Sequence, residues 1–263
     1  MVSRKVLSID GAITFVVVVV VLVPSVLLFE ENLINRCLEV NKDKKNCEKA
    51  LALFKEAYVG KDPKTVTPDK YNDLFDEFPF NHPCEKSMLW SKTSDLVKLV
   101  GKECYFPIGR TMLGYMLDGF FWCGKENSPE TITDFSQCTK PKINPYDSFW
   151  TTAAIRYAQY ACGEVKVLLN GEKDDPYKLD SYLAESEVPY LEHPRVTKLA
   201  VIMAVKKKGR PGCNDKSLKE LKNEMRKKGI VYDCKEVFEA QLEKCKHEKS
   251  ADGVCECQEL LKM

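Results

Sequence analysis

Residues 196–205 read VTKLAVIMAV. A run of apolar, largely β-branched or compact residues this long suits a strand covered on both faces, as the strands of parallel sheets are. Residues 214–228 follow with helical periodicity. Ser217 and Glu220 stand at capping-box spacing, and Gly229 is a natural C-cap. Ile230-Val231-Tyr232 then begins a further strand. Strand, helix, strand is a βαβ unit and predicts a parallel sheet. Val165–Leu169, closed by Asn170-Gly171, adds a shorter strand. The residues before Cys162 have a different character. Ala50, Leu51, Leu53, Phe54 and Ala57 recur at helix spacing within 37–58, and Gly60 ends that helix. Thr67-Pro68-Asp69 opens a second helical piece, and residues 110–122 and 147–162 also read as helices. The fold class is α/β, of the α+β two-lobed kind, with a helical N-lobe and an α/β C-lobe built on a short parallel sheet.

The 263 residues carry 40 basic and 39 acidic side chains, a net charge of +1. Such balance gives no field for nucleic acid. The basic cluster Lys206-Lys207-Lys208-Gly209-Arg210 runs into Pro211-Gly212 and reads as a solvated turn. Twelve cysteines are spread along the chain without a CxxC or HxxxH pair, and only three histidines occur. No metal site is implied, and six disulfides formed in an oxidising compartment fit the count. Residues 11–29, GAITFVVVVVVLVPSVLLF, are an uncharged run of membrane-spanning length, with Arg4 and Lys5 before it and Glu30 and Glu31 after it. The positive-inside rule leaves residues 1–10 as a cytoplasmic tail, 11–29 as a transmembrane signal anchor and 30–263 outside. A cleaved signal peptide, which would make the protein secreted, is the rival.

Several chemistries lack their parts. The chain has no G-x-G-x-x-G, Walker A, H-E-x-x-H or G-x-S-x-G motif. Residues 110–124, RTMLGYMLDGFFWCG, place one acid, Asp118, among apolar and aromatic neighbours. A buried carboxylate is usually paired or in a site. From this stretch alone the plainer reading is that Asp118 ends a helix before Gly119 and faces water. The three tryptophans are Trp90, Trp122 and Trp150. Core packing suits Trp122, beside Cys123, whereas Trp90, followed by Ser91 and Lys92, suits a ligand surface as well as a core. Glu187, two residues from Glu185, reads on its own as a solvated loop acid.

Taken together, four segments resemble the ADP-ribosyl cyclase / NAD glycohydrolase family of ectoenzymes. They are PCEKSMLWSKTSDL (83–96), TMLGYMLDGFFWCG (111–124), SFWTTAAIRYAQYACGEVKVLLNG (148–171) and SEVPYL (186–191), in the family's order and near its spacing. The resemblance implies cleavage of the nicotinamide–ribose bond of NAD to nicotinamide and ADP-ribose, with some cyclic ADP-ribose. It implies Glu187 as the catalytic residue, Trp90 and Trp150 flanking the nicotinamide end, and Asp118 reaching its amide. Ser91 and Lys92 would lie near the diphosphate and Tyr182 at the rim. NAD is then substrate, with NADP a second candidate, and no cofactor is expected. The family topology interleaves a helical lobe (about 30–83 and 107–161) with an α/β lobe (about 84–106 and 162–263).

The same resemblance implies disulfides Cys37–Cys47, Cys84–Cys162, Cys123–Cys138 and Cys213–Cys234, and pairs Cys245 with Cys255 or Cys257, of which Cys255 is the choice made here. One pair usual in vertebrate members is absent. Other departures bear on chemistry. Many members carry Thr-Leu-Glu-Asp-Thr where this chain has Pro107-Ile108-Gly109-Arg110-Thr111, so a second active-site acid is missing at Gly109. Ala154 stands where a serine often lies. The rival from another class is a non-catalytic NAD-binding or receptor ectodomain of the same fold, and a protein ADP-ribosyltransferase is the rival enzyme. The sequence leaves the oligomeric state open, a homodimer included.

Overall fold

The structure is a computed structural model that describes residues 8–9, 12–13, 25–100, 104–131, 135–138, 143–207, 212–244 and 256–263. A short antiparallel pairing joins β1 (Ser8–Ile9) to β2 (Ala12–Ile13). The body begins with helices α1 (Ser25–Asn41), α2 (Lys44–Tyr58) and α3 (Asn72–Glu77). Then come β3 (Ser87–Ser91), α4 (Ser94–Val100), β4 (Phe106–Pro107), α5 (Met112–Leu117) and α6 (Pro145–Tyr160). The chain continues through β5 (Gly163–Asn170), β6 (Val196–Val205), α7 (Lys216–Lys227), β7 (Val231–Phe238), α8 (Glu239–Lys244) and α9 (Glu256–Leu260).

The run 196–205 is strand β6, covered from Leu199 to Val205. It lies between β5 and β7 in a sheet of order β4-β3-β5-β6-β7 whose pairings are all parallel. The covering layers explain the unbroken apolar run. Leu199, Val201 and Met203 face one core with the helices, while Ile202 and Ala204 face a second core with α4, α8 and Leu261. A parallel sheet needs both layers because its crossovers place helices on its faces.

Gly229 does follow α7 in the left-handed region, at φ +74°. The N-cap is Asp215, not Ser217: its carboxylate accepts from Ser217 N–H at 2.8 Å and from the Ser217 hydroxyl at 2.7 Å. The helix expected over 110–122 is only α5. Asp118 N–H closes its last turn on Gly114 O, and Gly119 at φ +78° turns the chain away. Phe120 then packs on α1, 5.2 Å from Phe29, while Trp122 enters the core and donates to the Tyr71 hydroxyl at 3.3 Å. β3 was not anticipated as a strand.

The bridges Cys37–Cys47, Cys84–Cys162, Cys123–Cys138 and Cys213–Cys234 are all formed. Cys104 and Cys257 are also disulfide-bonded. The pairing Cys245–Cys255 lies outside the described residues. Of the apolar run 11–29, residues 25–29 belong to α1, and Phe29 is buried in the domain core. Among the described residues no helix is long and apolar enough to cross a membrane.

Candidate active site

In open parallel sheets, ligands gather outside the carboxyl ends of the strands. β3 delivers Trp90 and Ser91 to that end, Trp90 half-buried and Ser91 buried. Lys92 follows in the left-handed region at φ 58°. Its carbonyl accepts from Asn170 Nδ2 at 3.1 Å, which ties the turn to the end of β5.

α6 brings the second tryptophan. Asn144 caps it, accepting from Asp147 N–H at 2.9 Å, and Pro145 fills the first position, where no intrahelical donor is needed. Trp150 sits two turns in, half-buried and packed against the core, with Ala154 buried one turn further. Tyr182 crosses over the start of this helix and donates to Asp147 Oδ1 at 2.7 Å.

Glu187 ends a π-helical turn, Leu183–Glu187, that packs against both α6 and β3. π-turns often accompany functional sites. Its carboxyl is 6% exposed, and burial alone pushes its pKa from 4.5 up to about 8. Among the described residues no cation offsets that burial. Below it lies Tyr157 of α6, whose hydroxyl accepts from Met88 N–H at 3.0 Å and donates to Phe106 O. Burial raises the Tyr157 pKa well beyond its usual range, and the nearby Glu187 adds to the rise. The solvated loop acid expected of Glu187 without a family resemblance is therefore excluded by its surroundings.

Asp118 is the C-cap of α5, with a half-exposed carboxylate. Arg36 Nη1 holds its backbone oxygen at 2.5 Å, and Lys98 Nζ stands 3.5 Å from its side chain. As the plainer reading of Asp118 expects, it ends the helix and faces outward, and it has a cation beside it. Gly109 abuts the same carboxylate, for a Cβ there would lie 3.9 Å from Asp118 Oδ2. Gly114 makes this closeness attainable. A Cβ at that position would collide with Ile108 O, so α5 can lie against the turn 108–110 only with glycine there.

The structure brings Glu187 against the helix of Trp150 and the strand of Trp90, with Tyr182 bonded to Asp147 in the first turn of α6. Asp118 with Lys98 forms the far end. Two neighbours escaped the sequence reading. Lys98 carries no motif. Tyr146 could have been found, because it precedes Trp150 by four residues and so shares its helix face.

Comparisons with known proteins show the family and the fold. A family model described as ADP-ribosyl cyclase matches residues 28–254. The Rattus norvegicus ADP-ribosyl cyclase/cyclic ADP-ribose hydrolase 1 is 28% identical over 229 residues, covering 82% of this chain and 75% of its own. The Aplysia kurodai ADP-ribosyl cyclase/cyclic ADP-ribose hydrolase is 30% identical over 203 residues, 73% of this chain and 71% of its own. Porcine CD38, solved with a covalent intermediate, superposes with a TM-score of 0.72 at 29% identity, over 80% of this chain and 96% of that one. Aplysia cyclase, solved with substrate NGD and product cGDPR, gives 0.73 at 26% identity, over 86% and 96%.

Proposed function

Because this chain belongs to the ADP-ribosyl cyclase family, we propose that it is an NAD glycohydrolase and ADP-ribosyl cyclase whose reaction turns on Glu187. The observation that carries this reading is a lone, deeply buried carboxyl at the junction of α6 and β3. The nicotinamide of NAD is a cation and leaves as a neutral molecule, so its departure needs no proton. Ordinary glycosidases use two carboxyls, one of them to protonate the leaving group. Here one suffices.

Glu187 supplies what remains. As the C–N bond breaks, nicotinamide takes the electron pair and positive charge passes to the ribose. A carboxylate held in a desolvated site stabilises that oxocarbenium-like state. Burial favours protonated Glu187 near neutral pH, pushing its pKa up to about 8. The positive charge of the nicotinamide ring favours loss of that proton, so the carboxylate forms where the reaction needs it. Water then adds to the ribose, giving ADP-ribose and releasing a proton. Alternatively adenine N1 adds, giving cyclic ADP-ribose and a proton.

Trp90 and Trp150 flank the nicotinamide, whose charge is attracted to aromatic faces. Asp118 accepts from its amide. Ser91 and Lys92, at the end of β3, serve the diphosphate, and Tyr182 stands at the rim. With no acid at Gly109, Lys98 is a charged neighbour of the Asp118 side chain, beside Arg36 on its backbone oxygen. Residues 11–29 would act as the signal anchor of a single-pass type II protein, with the disulfide-bonded body in an extracellular or luminal space.

The test is to incubate the full chain, disulfides intact, with NAD and to resolve the products by chromatography. Nicotinamide should appear in equal amount to ADP-ribose plus cyclic ADP-ribose. NAD bound but recovered intact would overturn the reading in favour of a binding ectodomain. Label transferred to acceptor proteins would overturn it in favour of a transferase.

A further inference from the structure

Tyr146 has no part in the account above, yet it stands at the centre of the Asp118 end. It is the second residue of α6, one turn before Trp150. Its ring meets Trp150 at 6.3 Å and 64° and the buried Trp122 at 5.1 Å and 63°. Phe121 stacks on it at 5.2 Å and 26°. Phe121 is 54% exposed, although its neighbours Phe120 and Trp122 are both packed into the core. The fold therefore does not bury Phe121 for stability; it sets a large ring in water as the outer layer of a stack. Burial raises the Tyr146 pKa, and the nearby carboxylates of Asp147 and then Asp118 raise it further. The hydroxyl thus stays neutral near physiological pH and lies in the field of the Asp118 carboxylate. Asp147 is already engaged by Tyr182 at 2.7 Å and Asn144 at 2.6 Å.

We propose that Tyr146, braced from outside by Phe121, is a further substrate-contacting residue that forms with Trp150 an aromatic corner for the cationic nicotinamide ring. The inference rests on the reading that Trp150 and Asp118 hold that end of NAD. Two rings inclined at 64° present two aromatic surfaces to a flat cation, and such surfaces attract positive charge. The attraction is strongest before the bond breaks and fades as the ring becomes neutral. An interaction made in the ground state and lost in the transition state lowers KM and kcat together and leaves kcat/KM unchanged. A corner of this kind therefore governs KM.

The test uses steady-state kinetics of the full chain with NAD for the wild type, Tyr146→Phe, Tyr146→Leu and Phe121→Ala. Inhibition by 1-methylnicotinamide, a permanent cation, is measured beside inhibition by neutral nicotinamide. Tyr146→Leu should raise KM about tenfold, the scale of a partly desolvated cation–π contact, with kcat raised by a similar factor and kcat/KM within about twofold. It should weaken inhibition by the cation more than by nicotinamide, and Tyr146→Phe should restore both. Phe121→Ala, at an exposed position that leaves the fold intact, should raise KM about twofold to threefold by analogy with exposed aromatic contacts. Unchanged KM and unchanged cation inhibition in Tyr146→Leu would overturn the proposal. Should that variant fail to fold, unchanged KM in Phe121→Ala overturns it. A wild type that releases no nicotinamide would refute the proposed function, a result distinct from these.

Discussion

The burial of Glu187 has a consequence for stability that is separable from catalysis. Below pH 4.5 the carboxyl is protonated in both the folded and the unfolded chain. Between 4.5 and about 8 the unfolded chain has lost the proton and the folded chain keeps it. The unfolded state then binds fewer protons than the native state, so stability falls as pH rises through this window and levels off above about 8. Each pH unit of the gap is worth about 1.4 kcal/mol, which makes the whole decline about 5 kcal/mol. That is a large fraction of the stability of an ordinary domain, about 5–15 kcal/mol. Glu187→Gln removes the titration while keeping the shape. His82, whose pKa burial lowers to about 4, contributes equally to both proteins and cancels in the comparison. Denaturant unfolding of wild type and variant, disulfides intact, from pH 5 to pH 9 should show similar stability at the acid end. By pH 8.5 the variant should lead by several kcal/mol. A difference that does not change with pH would refute the claim that Glu187 is desolvated without a compensating charge.

Three further outcomes follow from the geometry. kcat/KM for NAD should rise with pH, reach half its limit at about pH 8 and level off only above about pH 9, because the ionised carboxyl of the free enzyme is the productive form; a pH–rate profile flat from 6 to 9 would contradict this. Lys98→Ala should leave stability within about 1 kcal/mol, since the pair with Asp118 is exposed. It should also lower KM for NAD about twofold to fivefold, on the same scale of interaction, and an unchanged or higher KM would remove Asp118 from the nicotinamide end. Tyr157→Phe should cost about 1–3 kcal/mol, because Met88 N–H and Phe106 O lose their buried partner; thermal unfolding within 1 °C of wild type, against an expected fall of a few degrees, would contradict that.

How far the fold can be read from the chain depends on how local its causes are. The strand Val196–Val205 was legible because burial on both sheet faces demands an unbroken apolar run. Gly229 was legible because its left-handed φ is a property of one residue. The cap of α7 was misread because two acceptors, Asp215 and Ser217, stand two apart and the carboxylate takes the N–H. α5 was read too long because Phe120 and Trp122 continue the apolar pattern after Gly119 has already turned the chain out of the helix. β3 was hidden by its five-residue length and lack of alternation. In the site, Trp90, Trp150, Asp118 and Glu187 were found through segments resembling a family, and no periodicity would have chosen Glu187 over Glu185. The burial that distinguishes them comes from α6 and β3, remote in sequence. Lys98 meets Asp118 from a separate helix and left no local trace.

The most direct measurement pairs turnover with binding. Wild type and Glu187→Gln would be assayed for nicotinamide release from NAD, and each titrated with NAD by tryptophan fluorescence, since Trp90 and Trp150 belong to the proposed site. The account predicts release by the wild type, a loss of at least about a thousandfold in the variant, as removal of a principal electrostatic stabiliser brings, and retained NAD binding. Release by Glu187→Gln at near the wild-type rate would contradict it.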